Sequence, residues 1–318
     1  MLSDTIAETR FTCKVTVFVR VSVRLWQVTR AIAIALVTCH NLTIYYGYSD
    51  HILGGKTMQN IRGVLLDIDG VLHISMQPIA GATATLSWLE QRGYPTCFVT
   101  NTTTLARATL ARRLQDCGLP ISEDRLITAP VATAQYIRQH FPGQRCWVLT
   151  KGDTAADFYD IELVEDNADV VVIGGAEELL TYEAMNHAFR MLMNGAALLA
   201  MHINLYWKAS DGLRLDSGPY VRALEIASGK SATVLGKPDA AFFAQALQVI
   251  GVTAQEAVMV GDDIEHDVSA AQRAGLRGIL VCTGKHQANS PLLAHIHPDA
   301  ILPSIADLPA WLEASKAR

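Results

Sequence analysis

Short apolar runs alternating with amphipathic segments, from residue 58 to the end, constrain the fold of this chain more than any other feature. Residues 61–66, 95–100, 146–149, 169–173, 197–201, 257–260 and 278–282 read as buried strands. Helices are expected over 82–92, 103–117, 131–140, 181–194, 219–228, 240–250, 270–274 and 305–314. Gly118 stands where a left-handed residue would close one helix, and Thr253 with Glu256 has capping-box spacing ahead of the strand 257–260. Repeated strand–helix units imply an α/β fold, a Rossmann-like three-layer core whose mostly parallel sheet is covered on both faces. The 318 residues, half of them apolar, suffice for one large or two modest domains.

The polar residues that matter lie where these strands end. Asp67-Ile68-Asp69-Gly70 follows the run 61–66 directly. At the C-terminal edge of an open parallel sheet, where ligands bind, two carboxylates one residue apart face different ways. One can reach a reacting atom while the other serves as acid/base, with a metal assisting, and Gly70 allows the sharp exit. A solvated Asp-Gly turn would also account for the four residues. A calcium loop would not, because Gly comes fourth rather than sixth and Pro78 occupies the twelfth position.

Three further clusters share that position. Thr100-Asn101 ends the run 95–100 and suits phosphate oxygens, although Asn101 or Thr102 could equally cap the following helix. Lys237, between Gly236 and Pro238, is either a solvated loop charge or a point charge for a phosphoryl group, with Pro238 suited to the first helical turn. Gly261-Asp262-Asp263, with Asp267 one turn further on, is either an acidic helix N-terminus or a site for a hard cation such as Mg²⁺.

Taken in order, Asp67-Ile68-Asp69-Gly70-Val71, Thr100-Asn101, Gly236-Lys237-Pro238 and Gly261-Asp262-Asp263 with Asp267 resemble the motif set of the haloacid dehalogenase superfamily. More than a hundred residues separate Thr100 from Lys237, which is similar to the type IIA, NagD-like branch with its inserted α/β cap of C2 type. Asn186-His187-Ala188-Phe189-Arg190, Asp211-Gly212-Leu213, Gly218-Pro219-Tyr220 and Ala223-Leu224-Glu225 narrow the resemblance within that branch. The resemblance implies a catalytic core over 58–140 and 232–318 and a cap over 141–231. It implies a phosphatase in which Asp67 attacks phosphorus and Asp69 shuttles the proton. Thr100, Asn101 and Lys237 would hold the phosphoryl oxygens, and Mg²⁺ would sit on Asp67, the Asp69 backbone and Asp262. Asp263 and Asp267 would orient waters and Lys237 from behind. The expected substrate is a small phosphorylated metabolite, with homodimerisation through the cap. The same residues would also serve a phosphoramidate or pyrophosphate hydrolase. A non-catalytic phospho-ligand-binding protein is the rival from another class, and the intact Asp69 argues against it. Relatives tend to place basic residues in the cap stretch that here reads His202-Ile203-Asn204-Leu205-Tyr206, where Ile203 and Leu205 are apolar.

Charge and cysteine usage exclude other classes. A formal net charge of −5 argues against a nucleic-acid footprint. Six cysteines without a CxxC pair read as reduced thiols of a cytoplasmic protein. Residues 1–57 differ in character, with six basic against three acidic residues and an apolar run over 31–37 too short to span a membrane. Met58 lies three residues before the first strand, so residues 1–57 are expected to be a non-native or disordered extension, with translation beginning at Met58. An intact mass of the native protein distinguishes the two starts.

Overall fold

In the computed structural model, residues 60–209 and 212–316 are described; the expectations for residues 1–57 lie outside them. The chain enters on β1 (Gly63–Asp67), makes a two-residue hairpin from β2 (His73–Ile74) and β3 (Gln77–Pro78), then runs through α1 (Ala82–Gln91), β4 (Thr96–Thr100) and α2 (Arg107–Asp116). β5 (Leu126–Thr128) and α3 (Ala129–His140) follow. Next come β6 (Cys146–Leu149), β7 (Val170–Ile173), α4 (Tyr182–Met193), β8 (Ala197–Ala200), the hairpin β9 (Tyr206–Ala209) and β10 (Gly212–Leu215), α5 (Ser217–Ser228) and β11 (Thr233–Val234). α6 (Ala240–Ile250), β12 (Ala257–Gly261), α7 (Ala270–Arg273), β13 (Arg277–Val281), β14 (Ala300–Leu302) and α8 (Leu308–Lys316) complete it.

Six of these strands form a sheet ordered β14-β13-β12-β1-β4-β5, parallel throughout. Every residue of β1 is buried, because a central parallel strand is covered on both faces, and this is why it reads as an unbroken apolar run. Val64 and Leu66 face one core layer with Leu86, Leu110 and Leu312, while Leu65 faces the other with Phe242, Phe243 and Met259. On α1 the buried residues are Ala82, Thr85, Leu86 and Leu89, a single helical stripe. The chain winds one way from β1 to β4 and returns to the other side of β1 as β12. That reversal opens a crevice at the C-terminal ends of β1, β4 and β12.

A second parallel sheet, β11-β8-β7-β6, carries α4 and α5 on one face and packs Val170, Val172 and Leu199 against Ile137 of α3 and Phe158 on the other. Thr233–Val234, on the core side of a boundary at 231, is an edge strand of this second sheet, paired with β8. Both sheets belong to one compact unit that starts at residue 58. The fold class expected from the alternation is observed. Five small features escape it: both hairpins, the three-residue β5, the two-residue β11 and the three-residue β14, none of which forms a buried apolar run of four residues. Among the described residues no helix is long and apolar enough to cross a membrane.

The helix expected from 103 begins only at Arg107. Thr103 is held elsewhere: its carbonyl accepts the hydroxyls of Thr150 (2.7 Å) and Thr154 (2.6 Å), and its Oγ1 accepts the Gly175 N–H (2.8 Å). These bonds join the C-terminal edge of the second sheet to that of the first. Gly118 does close α2, at φ 91°.

Candidate active site

β1 delivers Asp67 into the crevice as a buried carboxylate, and Lys237 Nζ lies 2.7 Å from its Oδ1. The same ammonium is 2.7 Å from Oδ1 of Asp267, which is fully buried. Asp262 completes the group: Asp67, Asp262 and Asp267 each offer an oxygen, all within 4.8 Å of one another. Burial pushes Asp67 up to about 7 against the pull of Lys237. Burial likewise lifts Asp262 to about 7 and Asp267 to about 6, helped for Asp262 by the Asp267 charge. Lys237 responds the other way: burial opposes its charge, but Asp267 and Asp67 more than offset this and hold it firmly protonated.

Backbone geometry packs this cluster tightly. The Asp262 carboxylate lies between Gly70, at φ 78°, and Gly284, and a Cβ on either would run into it. Its Oδ2 accepts the Lys285 N–H at 2.5 Å. When all three carboxylates are ionised, the one ammonium leaves two negative charges buried together, and the donors are hard oxygens. This set fits a divalent cation of the Mg²⁺ kind.

The remaining expected residues divide. Asp69 is brought to the mouth of the site, exposed, with its Oδ2 accepting the Thr102 hydroxyl at 3.1 Å. Thr100 donates to that same hydroxyl oxygen at 2.9 Å and accepts the Thr102 N–H. The Asn101 side-chain amide bonds the Lys237 backbone twice. Nδ2 donates to the carbonyl and Oδ1 accepts the N–H, both at 2.9 Å. Its structural task is to fasten the Lys237 loop to the end of β4. Neither Asn101 nor Thr102 caps α2. Pro238 lies ahead of the α6 N-cap, Asp239, rather than in the first turn.

Asp267 meets Lys237 as expected, and Asp263 does not. Asp263 caps the π-helical turn Ile264–Ser269 through the N–H groups of Glu265 and His266, and pairs with His266 Nδ1 (2.9 Å) and Lys285 Nζ (2.6 Å). Burial works against the Asp263 charge, yet His266 and Lys285 hold its carboxyl well below the usual range. Thr102 and Lys285 escape the sequence reading as site residues. The only signal for Lys285 is its place just beyond the strand β13, on the same sheet edge. His202 is buried at the edge of the second sheet with Nε2 3.8 Å from Asp216, and Ile203 packs into that sheet's core.

Fold and site together define a Rossmann-like α/β enzyme with a carboxylate centre suited to a cation at the switch point of its sheet. Family models described as haloacid dehalogenase-like hydrolase and HAD-hydrolase-like match residues 64–163 and 234–308. Haloacid dehalogenase-like hydrolase domain-containing protein 2 of Bos taurus is 42% identical over 232 residues, covering 73% of this chain and 88% of that protein. Phospholysine phosphohistidine inorganic pyrophosphate phosphatase of Homo sapiens is 38% identical over 259 residues, covering 80% and 94%. Among solved structures, p-nitrophenyl phosphatase from Archaeoglobus fulgidus superposes with a TM-score of 0.74 at 28% identity, covering 80% of this chain and 99% of that one. NagD from E. coli K-12 gives 0.69 at 26%, covering 78% and 98%. The chain belongs to the haloacid dehalogenase-like hydrolases, within their phosphatase group.

Proposed function

We propose that this chain is a Mg²⁺-dependent phosphatase that hydrolyses a small phosphorylated metabolite through an aspartyl-phosphate. The observation that carries the reading is the buried Asp67 carboxylate held 2.7 Å from Lys237 beside two further acids. An Asp67 oxygen forms the new bond to phosphorus as the bond to the leaving oxygen breaks, and Asp69 donates the proton that the leaving group takes. Water then attacks the aspartyl-phosphate, Asp69 accepts its proton, and Asp67 is regenerated. Lys237, the Thr100 hydroxyl and the Asn101 backbone N–H neutralise the phosphoryl oxygens, Thr100 turning from Thr102 to do so. Mg²⁺, on Asp67, Asp262 and the Asp69 carbonyl, would offset charge developing on phosphorus and favour ionised Asp67.

The second sheet is read as a cap over 141–231 that continues through β11, its Gly175–His202 edge covering the leaving group. The apolar side chains exposed on β9 and β10 (Tyr206, Trp207, Leu213 and Leu215) are the surface for a homodimer, tested by mass in solution. Phosphate release from p-nitrophenyl phosphate, with and without Mg²⁺ and beside Asp67→Asn, tests the main reading. Equal rates for wild type and variant would overturn it. The likeness to a phospholysine phosphohistidine inorganic pyrophosphate phosphatase favours a second reading with the same residues. Faster turnover of imidodiphosphate or phosphohistidine than of monoesters would select it.

A further inference from the structure

We propose that His73 is a positioning residue for Asp69, an inference that rests on Asp69 being the proton carrier of the reaction above. His73 opens β2 and is 2% exposed, and its Nε2 is a buried polar atom without a hydrogen-bond partner. The tautomer follows from the other nitrogen. Nδ1 accepts the Met76 N–H at 3.4 Å, so in the neutral ring the proton sits on Nε2. That N–H faces Asp69, whose Oδ1 is 3.7 Å away, just beyond hydrogen-bonding distance. A buried donor left unpaired is costly, and a small rotation of the exposed Asp69 side chain supplies the acceptor.

The second Asp69 oxygen is already held, by the Thr102 hydroxyl at 3.1 Å. His73 and Thr102 therefore flank the carboxyl, one at each oxygen. The backbone makes the pairing short and stiff: the Gly70 N–H donates to the His73 carbonyl at 2.8 Å, and Asp69 and His73 form a β-bridge. The loop that sets the imidazole is strained. Ser75 (φ 50°) and Met76 (φ 60°) are the two central residues of the β2–β3 turn, where Gly and Asn are the usual occupants. That strain brings the Met76 N–H onto Nδ1 while the Met76 side chain packs on the core. With its tautomer fixed, His73 limits the rotamers of an otherwise solvent-facing acid, and so keeps the proton donor aimed at the leaving oxygen.

The test compares single-turnover release of the leaving group from p-nitrophenyl phosphate and phenyl phosphate, which share a shape but differ in their need for a proton. His73→Asn keeps an acceptor near Nδ1 and removes the donor at Nε2. Its release of phenol is expected to slow about ten- to hundredfold, with a much smaller loss for p-nitrophenol and little change in KM. His73→Gln, whose amide nitrogen reaches the Nε2 position, is expected to recover most of the phenol rate. Should Asn weaken folding, His73→Phe, which fills the same space without an N–H, is read in its place. Equal losses on both substrates, or Gln no better than Asn, would overturn the positioning role. Asp69→Asn separates the two layers. If it releases phenol like wild type, the proton-carrier reading falls and this inference with it. If it is slow while His73→Asn is not, only the inference falls.

Discussion

Lys237 is the residue on which the site's electrostatics turn, because its ammonium separates two buried carboxylates that would otherwise repel. Lys237→Met removes the only cation in contact with Asp67 and Asp267 among the described residues and leaves both acids uncompensated. Unfolding in urea should show a loss on the order of 3–5 kcal/mol. Turnover should fall by about a hundredfold or more, since charge stabilisation at phosphorus is lost as well. Gly284→Ala acts on the neighbouring acid, where the added methyl would displace the Asp262 carboxylate. The Mg²⁺ concentration for half-maximal activity should rise about tenfold or more, with turnover at saturating Mg²⁺ less affected. An unchanged Mg²⁺ titration would remove Asp262 from the proposed metal site.

Among the elements, α2 shows how the two sheets depend on each other. It has neither a side-chain cap of its own nor an acid in its first turn. The missing acceptors come from the turn after β6: Asp153 takes the Ala106 N–H (2.8 Å) and the Thr109 hydroxyl (2.5 Å), and Asp157 takes the Arg107 N–H. Asp153→Ala is therefore expected to cost about 1–2 kcal/mol in chemical denaturation, although it lies far along the chain from the helix it caps. Thr181 caps α4 locally, through the Ala184 N–H, and Thr181→Ala should cost about 1 kcal/mol without altering turnover. Elements such as α6 and β6 could be read from sequence because burial on one face gives the helix a period and burial on both faces makes the strand an apolar run. The true start of α2 could not, since residues 103–106 are diverted by partners some fifty positions away.

For the whole molecule, the buried acids set how stability follows pH. Burial holds Asp67 and Asp262 near about 7 and Asp267 near about 6, above the usual carboxylate value. A raised carboxylate favours the folded state while protonated. Its contribution is complete below the unfolded value of about 4 and is lost as pH climbs through the folded one. Without metal, the melting temperature should therefore decline between about pH 4 and pH 7 on account of these groups. A divalent cation binds the ionised carboxylates, so the stabilisation from added Mg²⁺ should grow across the same window. Differential scanning fluorimetry at several pH values, with and without Mg²⁺, measures both trends. A Mg²⁺ effect larger at low pH would contradict the proposed site.

By itself the sequence determined the layered α/β fold and which sheet edge carries the chemistry. Parallel strands buried on both faces must be apolar runs, and Asp67, Thr100 and Asp262 each stand where such a run stops. Only the tertiary structure decided what those residues do to one another. It set Lys237 between Asp67, 170 positions away, and Asp267, and spent the Asn101 amide on a backbone 136 positions away. It also turned Asp263 toward Lys285 and brought the His73 imidazole up to Asp69. Burial leaves a one-dimensional trace because it acts on every residue of an element. A hydrogen bond between distant loops depends on a few atoms meeting in space, and it leaves none.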